Sequence, residues 1–104
     1  MKRYRYTDVP SLLQEDRPED EVQCYRCKLE GQMQFHHILN GSLKRASEEI
    51  GAWVWLCPAC HDWVHSTGDG VLFQRIMKAT CQERYEENHT REEWMALVHK
   101  NYLR

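Results

Sequence analysis

The chain has 104 residues, 41% of them apolar and 29% charged, which allows one globular domain and excludes a disordered chain. Its longest uninterrupted apolar stretch, Ala52 to Cys57, falls far short of the roughly 20 residues that a membrane span needs, and the basic start Met1 to Tyr6 runs into Asp8 and Pro10 rather than the apolar core of a signal peptide. A cytoplasmic protein is expected. With 14 Lys and Arg against 16 Asp and Glu the net charge is −2, with no basic excess in either part of the chain, so any nucleic-acid surface must be local or completed by a bound metal.

In chain order, residues 1–21 read as an arm. Lys2, Arg3 and Arg5 alternate with Tyr4 and Tyr6, an apolar patch follows at Val9, Leu12 and Leu13, and an acidic run with Pro18 makes a solvated linker. Residues 22–68 read as a metal-binding core and 69–104 as a helical extension packed on it. Within the core, Cys24-Tyr25-Arg26-Cys27 forms a knuckle, and Gln34 to Leu39 a strand ending at the Asn40-Gly41 turn. A helix is predicted over 42–50, closed by Gly51, then a second strand over 52–56 and a helix over 58–66 with Pro58 in its first turn. Gly68 and Gly70 are predicted to break that helix. A longer one should run from 71 to 88 with Leu72, Ile76, Ala79 and Tyr85 on its inner face, and Thr90-Arg91-Glu92-Glu93 is a capping box opening a last helix around Trp94, Leu97 and Val98. The expected class is a small zinc-stabilised α+β domain. Trp53, Trp55, Trp63 and Trp94 are expected to pack in its interior, and Cys81 to serve as a small apolar helix residue.

The cysteines carry the first chemical signal. Four of the five fall in two Cys-x-x-Cys pairs, Cys24/Cys27 and Cys57/Cys60. In a reducing compartment this pattern points to metal rather than to disulfides. Together the four make a closed tetrahedral Zn2+ site that pins the knuckle to the start of the 58–66 helix. His61 and His65, four apart, share one face of that helix. With His36 they make a second, three-ligand site whose open positions suit catalysis.

The succession Cys-x-x-Cys, His36-His37-Ile38 on a strand, then Leu56-Cys57-x-x-Cys60-His61-x-x-x-His65 resembles the HNH endonucleases of the ββα-metal fold, in the branch holding a zinc with four cysteines. Ser47 to Gly51, Val54 to Cys57 and the tail around Thr90 to Glu93 and Asn101 to Leu103 are similar to short HNH-like proteins of bacteriophages and prophages. The resemblance implies a phage-encoded metal-dependent DNA endonuclease in a bacterial host. It implies His37 as general base, His36, His61 and His65 as ligands of a catalytic Mg2+ or Mn2+, and Lys44 and Arg45, in the excursion between the strands, as phosphate contacts. The chain departs from the family at one place: the Asn five residues before the second cysteine pair, which tethers the loop bearing the base, is Ala52 here. Asn40 is the other candidate for that tether.

A rival from another class follows from the acidity and the missing tether. It is a non-catalytic zinc-binding counter-defence protein, for example an anti-CRISPR inhibitor that engages a host nuclease through a degenerate HNH scaffold. A zinc-dependent DNA-binding module without cleavage would need a basic face.

Overall fold

The computed structural model describes residues 7–103. The basic and aromatic residues Lys2 to Tyr6 lie outside them. Strands β1 (Gln34–His37) and β2 (Trp53–Leu56) pair antiparallel, with His36 opposite Val54 and His37 opposite Trp53. Helix α1 (Lys44–Ile50) lies between the strands, and α2 (Pro58–Ser66), α3 (Gly68–Tyr85) and α4 (Arg91–Val98) follow. The architecture is a small α+β fold of one two-stranded sheet and, among the described residues, four helices. None is long and apolar enough to cross a membrane.

The two faces of the sheet build two cores. Period-two alternation sends His36, Val54 and Leu56 to one side. Val54 and Leu56 join Ile38, Val64, Met77, Cys81, Trp94 and Val98 in the main cluster. Phe35, Trp53 and Trp55 fall on the other side, with Phe35 stacked on Trp53 at 4.8 Å between ring centroids and Val22 packed among them. Three tryptophans are buried as expected, while Trp63 is half-buried with the Arg26 guanidinium 3.6 Å from the centre of its ring.

The outer face is covered by the segment before the knuckle. Leu12 N–H donates to the Gly51 carbonyl (2.8 Å), Trp53 Nε1 donates to the Val9 carbonyl (2.9 Å), and Trp55 N–H donates to Gln14 Oε1 (2.9 Å). Residues 7–14 thus dock along β2, and the acidic run over 15–21 is exposed, as expected of a solvated linker. Gly51 makes the docking feasible. It closes α1 at φ 83°, and a Cβ there would strike the Pro10 carbonyl.

Gly68 and Gly70 do not interrupt the helices as predicted; they form the first turn of α3. Thr67 alone separates α2 from α3, and its hydroxyl accepts from Gly70 N–H at 2.9 Å. Any Cβ on Gly70 would collide with the Trp63 carbonyl and the Val64 backbone, so glycine is what lets the two helices meet so closely. The inner face of α3 also differs from the expectation. Gln74, Met77, Cys81, Gln82 and Tyr85 are buried, whereas Leu72 and Ile76 are 60% and 62% exposed. The helix ends at Tyr85. The capping box at Thr90 is present as predicted, with Glu93 N–H on Thr90 Oγ1 (3.1 Å) and Thr90 N–H on Glu93 Oε1 (2.9 Å).

Candidate metal centres

The knuckle is a tight turn in which Lys28 N–H donates to the Cys24 carbonyl (2.9 Å) and Lys28 takes a left-handed conformation at φ 68°. Tyr25 N–H donates to the Trp55 carbonyl (2.8 Å), which fixes the knuckle against β2 and hence against the start of α2. The four Sγ atoms of Cys24, Cys27, Cys57 and Cys60 consequently lie within 4.8 Å of one another. Cys27 Sγ and Cys57 Sγ are 3.8 Å apart. A tetrahedron with Zn–S bonds of about 2.3 Å has edges of about 3.8 Å, so this spacing fits a bound zinc.

The surroundings are built for thiolates. Cys27 N–H points at Cys24 Sγ and Cys60 N–H at Cys57 Sγ, both at 3.4 Å, and Arg26 Nη1 lies 3.4 Å from Cys60 Sγ. Burial raises the Cys24 thiol, but backbone amides outweigh it and bring the group down to about 6; burial pushes Cys60 up to about 12. Four crowded sulfurs cannot all ionise unaided. A divalent cation among them removes the conflict, and these four cysteines can hold a structural metal such as zinc.

One ring nitrogen from each of His36, His61 and His65 also falls within 4.8 Å of the others. His36 comes from β1 and the other two from α2. Their ring centroids are 4.8 to 5.3 Å apart. Two glutamines decide which nitrogens remain bare. Gln74 Nε2 donates to the Ile38 carbonyl (2.5 Å) and to Asn40 Oδ1 (3.0 Å), so its Oε1 must be the acceptor facing His36 Nε2 at 2.7 Å. Nε2 therefore carries the proton, and Nδ1 of His36 keeps its lone pair. At His61, Nδ1 donates to Gln34 Oε1 at 2.5 Å, leaving Nε2. Burial first, and then the neighbouring imidazoles, hold His36 down to about 4 against the opposing Gln74 bond, and burial followed by His65 lowers His61. Both rings are neutral at neutral pH, the state in which an imidazole binds a metal.

His37, on the opposite side of β1 from His36, does not face open solvent. Its Nε2 is 2.8 Å from Glu48 Oε2 and its ring meets Phe35 edge-on. His36, His37, His61, His65, Glu48 and Lys44 nonetheless line one open cavity of about 600 Å³. Arg45 lies apart from it, highly exposed and paired with Glu49 at 3.7 Å.

The Asn40 side chain is engaged by Gln74. Ser47 makes the link between the loop after the histidine doublet and β2. Its hydroxyl donates to the Ala52 carbonyl and accepts from Leu39 N–H (3.3 Å), joining the chain just after the histidine doublet to the start of β2. Ser47, Glu48, Gln34 and Gln74 are the site residues that sequence reasoning missed. Polar residues on a helix or strand carry no signal of what they face. The chain matches no family model, no curated protein and no solved structure.

Proposed function

We propose that the protein is a small HNH-like, metal-dependent DNA endonuclease of bacteriophage type that hydrolyses phosphodiester bonds. The observation that carries this reading is that three imidazoles converge on one point while His37, oriented by a carboxylate, opens into the same cavity. His36 is buried and His61 half-buried, which makes them poor packing residues on their own, and a metal shared with exposed His65 satisfies them together. A divalent cation held by His36, His61 and His65 supplies Lewis-acid stabilisation of charge on the phosphate and on the leaving 3′ oxygen.

The remaining work belongs to the chain. His37, oriented through Nε2 by Glu48, is the base that takes a proton from the attacking water. Water oxygen then bonds to phosphorus, the bond to the 3′ oxygen breaks, and the 3′ oxygen takes up a solvent proton. Lys44, at the rim of the cavity, neutralises phosphate charge. Three imidazoles suit borderline transition ions better than Mg2+, so Mn2+, Ni2+ and Zn2+ belong in the assay beside Mg2+.

The test is cleavage of supercoiled plasmid by zinc-loaded protein with each metal added. Metal-dependent nicking that is abolished in His61→Ala, with the four-cysteine zinc retained, supports the reading. No cleavage with any ion overturns it. The second reading, a non-catalytic inhibitor of a host nuclease, draws on exposed Leu72 and Ile76, one turn apart on α3. It requires one metal per chain and no occupancy at the histidines.

A further inference from the structure

Beside the histidine cavity lies a second depression of about 390 Å³, formed by α3 and the chain that follows α4. Arg75 and Lys78 of α3 line it together with Lys100 and Tyr102 of the tail, and Asn40 and His65 line both cavities. No carboxylate among the described residues lines it. Among the described residues, none of Arg75, Lys78 and Lys100 makes an ion pair. Lys78 Nζ sits 5.6 Å and Lys100 Nζ 5.3 Å from the centre of the Tyr102 ring. Burial, and secondarily Lys100, lowers Lys78 from the ordinary lysine value, while burial raises Tyr102 and keeps its phenol a protonated donor.

The tail is held in place by buried polar chemistry. Gln82, fully buried on α3, donates through Nε2 to Asn101 Oδ1 (2.8 Å) and accepts at Oε1 from Tyr102 N–H (2.7 Å). Trp94 Nε1 donates to the Lys100 carbonyl (2.8 Å). Lys100 and Tyr102 are therefore presented on a fixed backbone. Three cations gathered on such a frame, with no carboxylate beside them among the described residues, create a local positive field in a protein whose net charge is −2.

We propose that this second cavity seats a backbone phosphate of the nucleic-acid strand whose scissile phosphate lies in the histidine cavity. The inference rests on the nuclease reading. A phosphodiester strand presents regularly spaced anions, so one chain of charges can occupy two adjoining cavities, and the shared wall at Asn40 and His65 makes these two adjoin. Phosphate contacts position a strand without reading its bases, so the cavity sets where the strand lies over the metal rather than which sequence is cut.

The experiment is fluorescence anisotropy of a labelled 20-base-pair DNA duplex with zinc-loaded full-length protein across a NaCl series, without other divalent ions. Arg75→Ala/Lys78→Ala/Lys100→Ala should bind about tenfold or more weakly at 100 mM NaCl, with a log K against log salt slope shallower by about one to two. Lys100→Ala alone, in the tail and clear of the α3 packing, should flatten the slope by about one, and Lys78→Arg should bind as the parent does. Parent-like affinity and slope in both alanine variants overturn the cavity assignment, and the nuclease reading survives if His61→Ala still abolishes cleavage. A parent protein that binds no DNA at 50 mM NaCl overturns both.

Discussion

Glu48 Oε2 lies 2.8 Å from His37 Nε2, so the carboxylate orients the imidazole ring. The residue before it in α1, Ser47, ties the loop after His37 to β2. One short helix therefore both orients the His37 ring and pins the loop that follows it. Glu48→Gln preserves size but not charge. It should lower DNA turnover by about 10-fold to 100-fold, with zinc content and Mn2+ affinity unchanged. His37→Ala should cost about 100-fold or more. A Glu48→Gln enzyme with parental turnover would show that the contact does not prepare the base.

The four-cysteine centre links two parts of the chain distant in sequence, the knuckle and the start of α2. Metal binding and folding should be one process. Removal of zinc by chelation, or Cys57→Ser, should abolish the cooperative thermal transition followed by circular dichroism, since structural zinc is worth on the order of 10 to 16 kcal/mol in zinc-finger peptides. An unchanged transition after verified loss of zinc would refute a structural role.

Gln74 is the residue whose role was least legible. Periodicity of apolar residues located α3 but rotated it wrongly, because Leu72 and Ile76 mark its exposed side while two glutamines, Gln74 and Gln82, mark the buried one. Hydrophobic pattern is blind to a buried amide that is satisfied by partners distant in sequence. The cysteine pairs and histidines were legible because ligand chemistry constrains both residue type and spacing. The basic cavity was not, because Arg75, Lys78 and Lys100 are brought together by packing and are diluted in any count of net charge. Gly70 misled for a related reason: a glycine needed for close helix approach looks like a helix breaker until its neighbour in space is known.

The buried amide gives its own prediction. Gln74→Leu removes the acceptor that fixes His36 in the tautomer with Nδ1 bare. Affinity for Mn2+ at the histidine site should fall by about 10-fold to 100-fold, measured by calorimetric titration of zinc-loaded protein, while zinc stoichiometry stays at one. Equal Mn2+ affinity in the variant would mean that Gln74 only packs.

The burial of His36 should also be readable in the pH dependence of stability. The side chain is held down to about 4 in the folded protein against an ordinary value of 6.5, with burial the largest cause. The unfolded chain therefore binds the proton first as pH falls. The stabilisation from keeping the ring neutral is fully present above about pH 7 and is lost progressively as pH drops from 6.5 towards 4. Between pH 7.5 and pH 5 this one group should remove about 2 kcal/mol. Acid also weakens thiolate binding to zinc, but that loss is common to the parent and to His36→Gln, which cannot take up the proton. Urea denaturation of both proteins at the two pH values, without added Mn2+ or Mg2+, isolates the imidazole. The parent should lose about 2 kcal/mol more than the variant on acidification. Equal losses would show that His36 titrates normally in the fold and that its burial imposes no neutral state on the metal site.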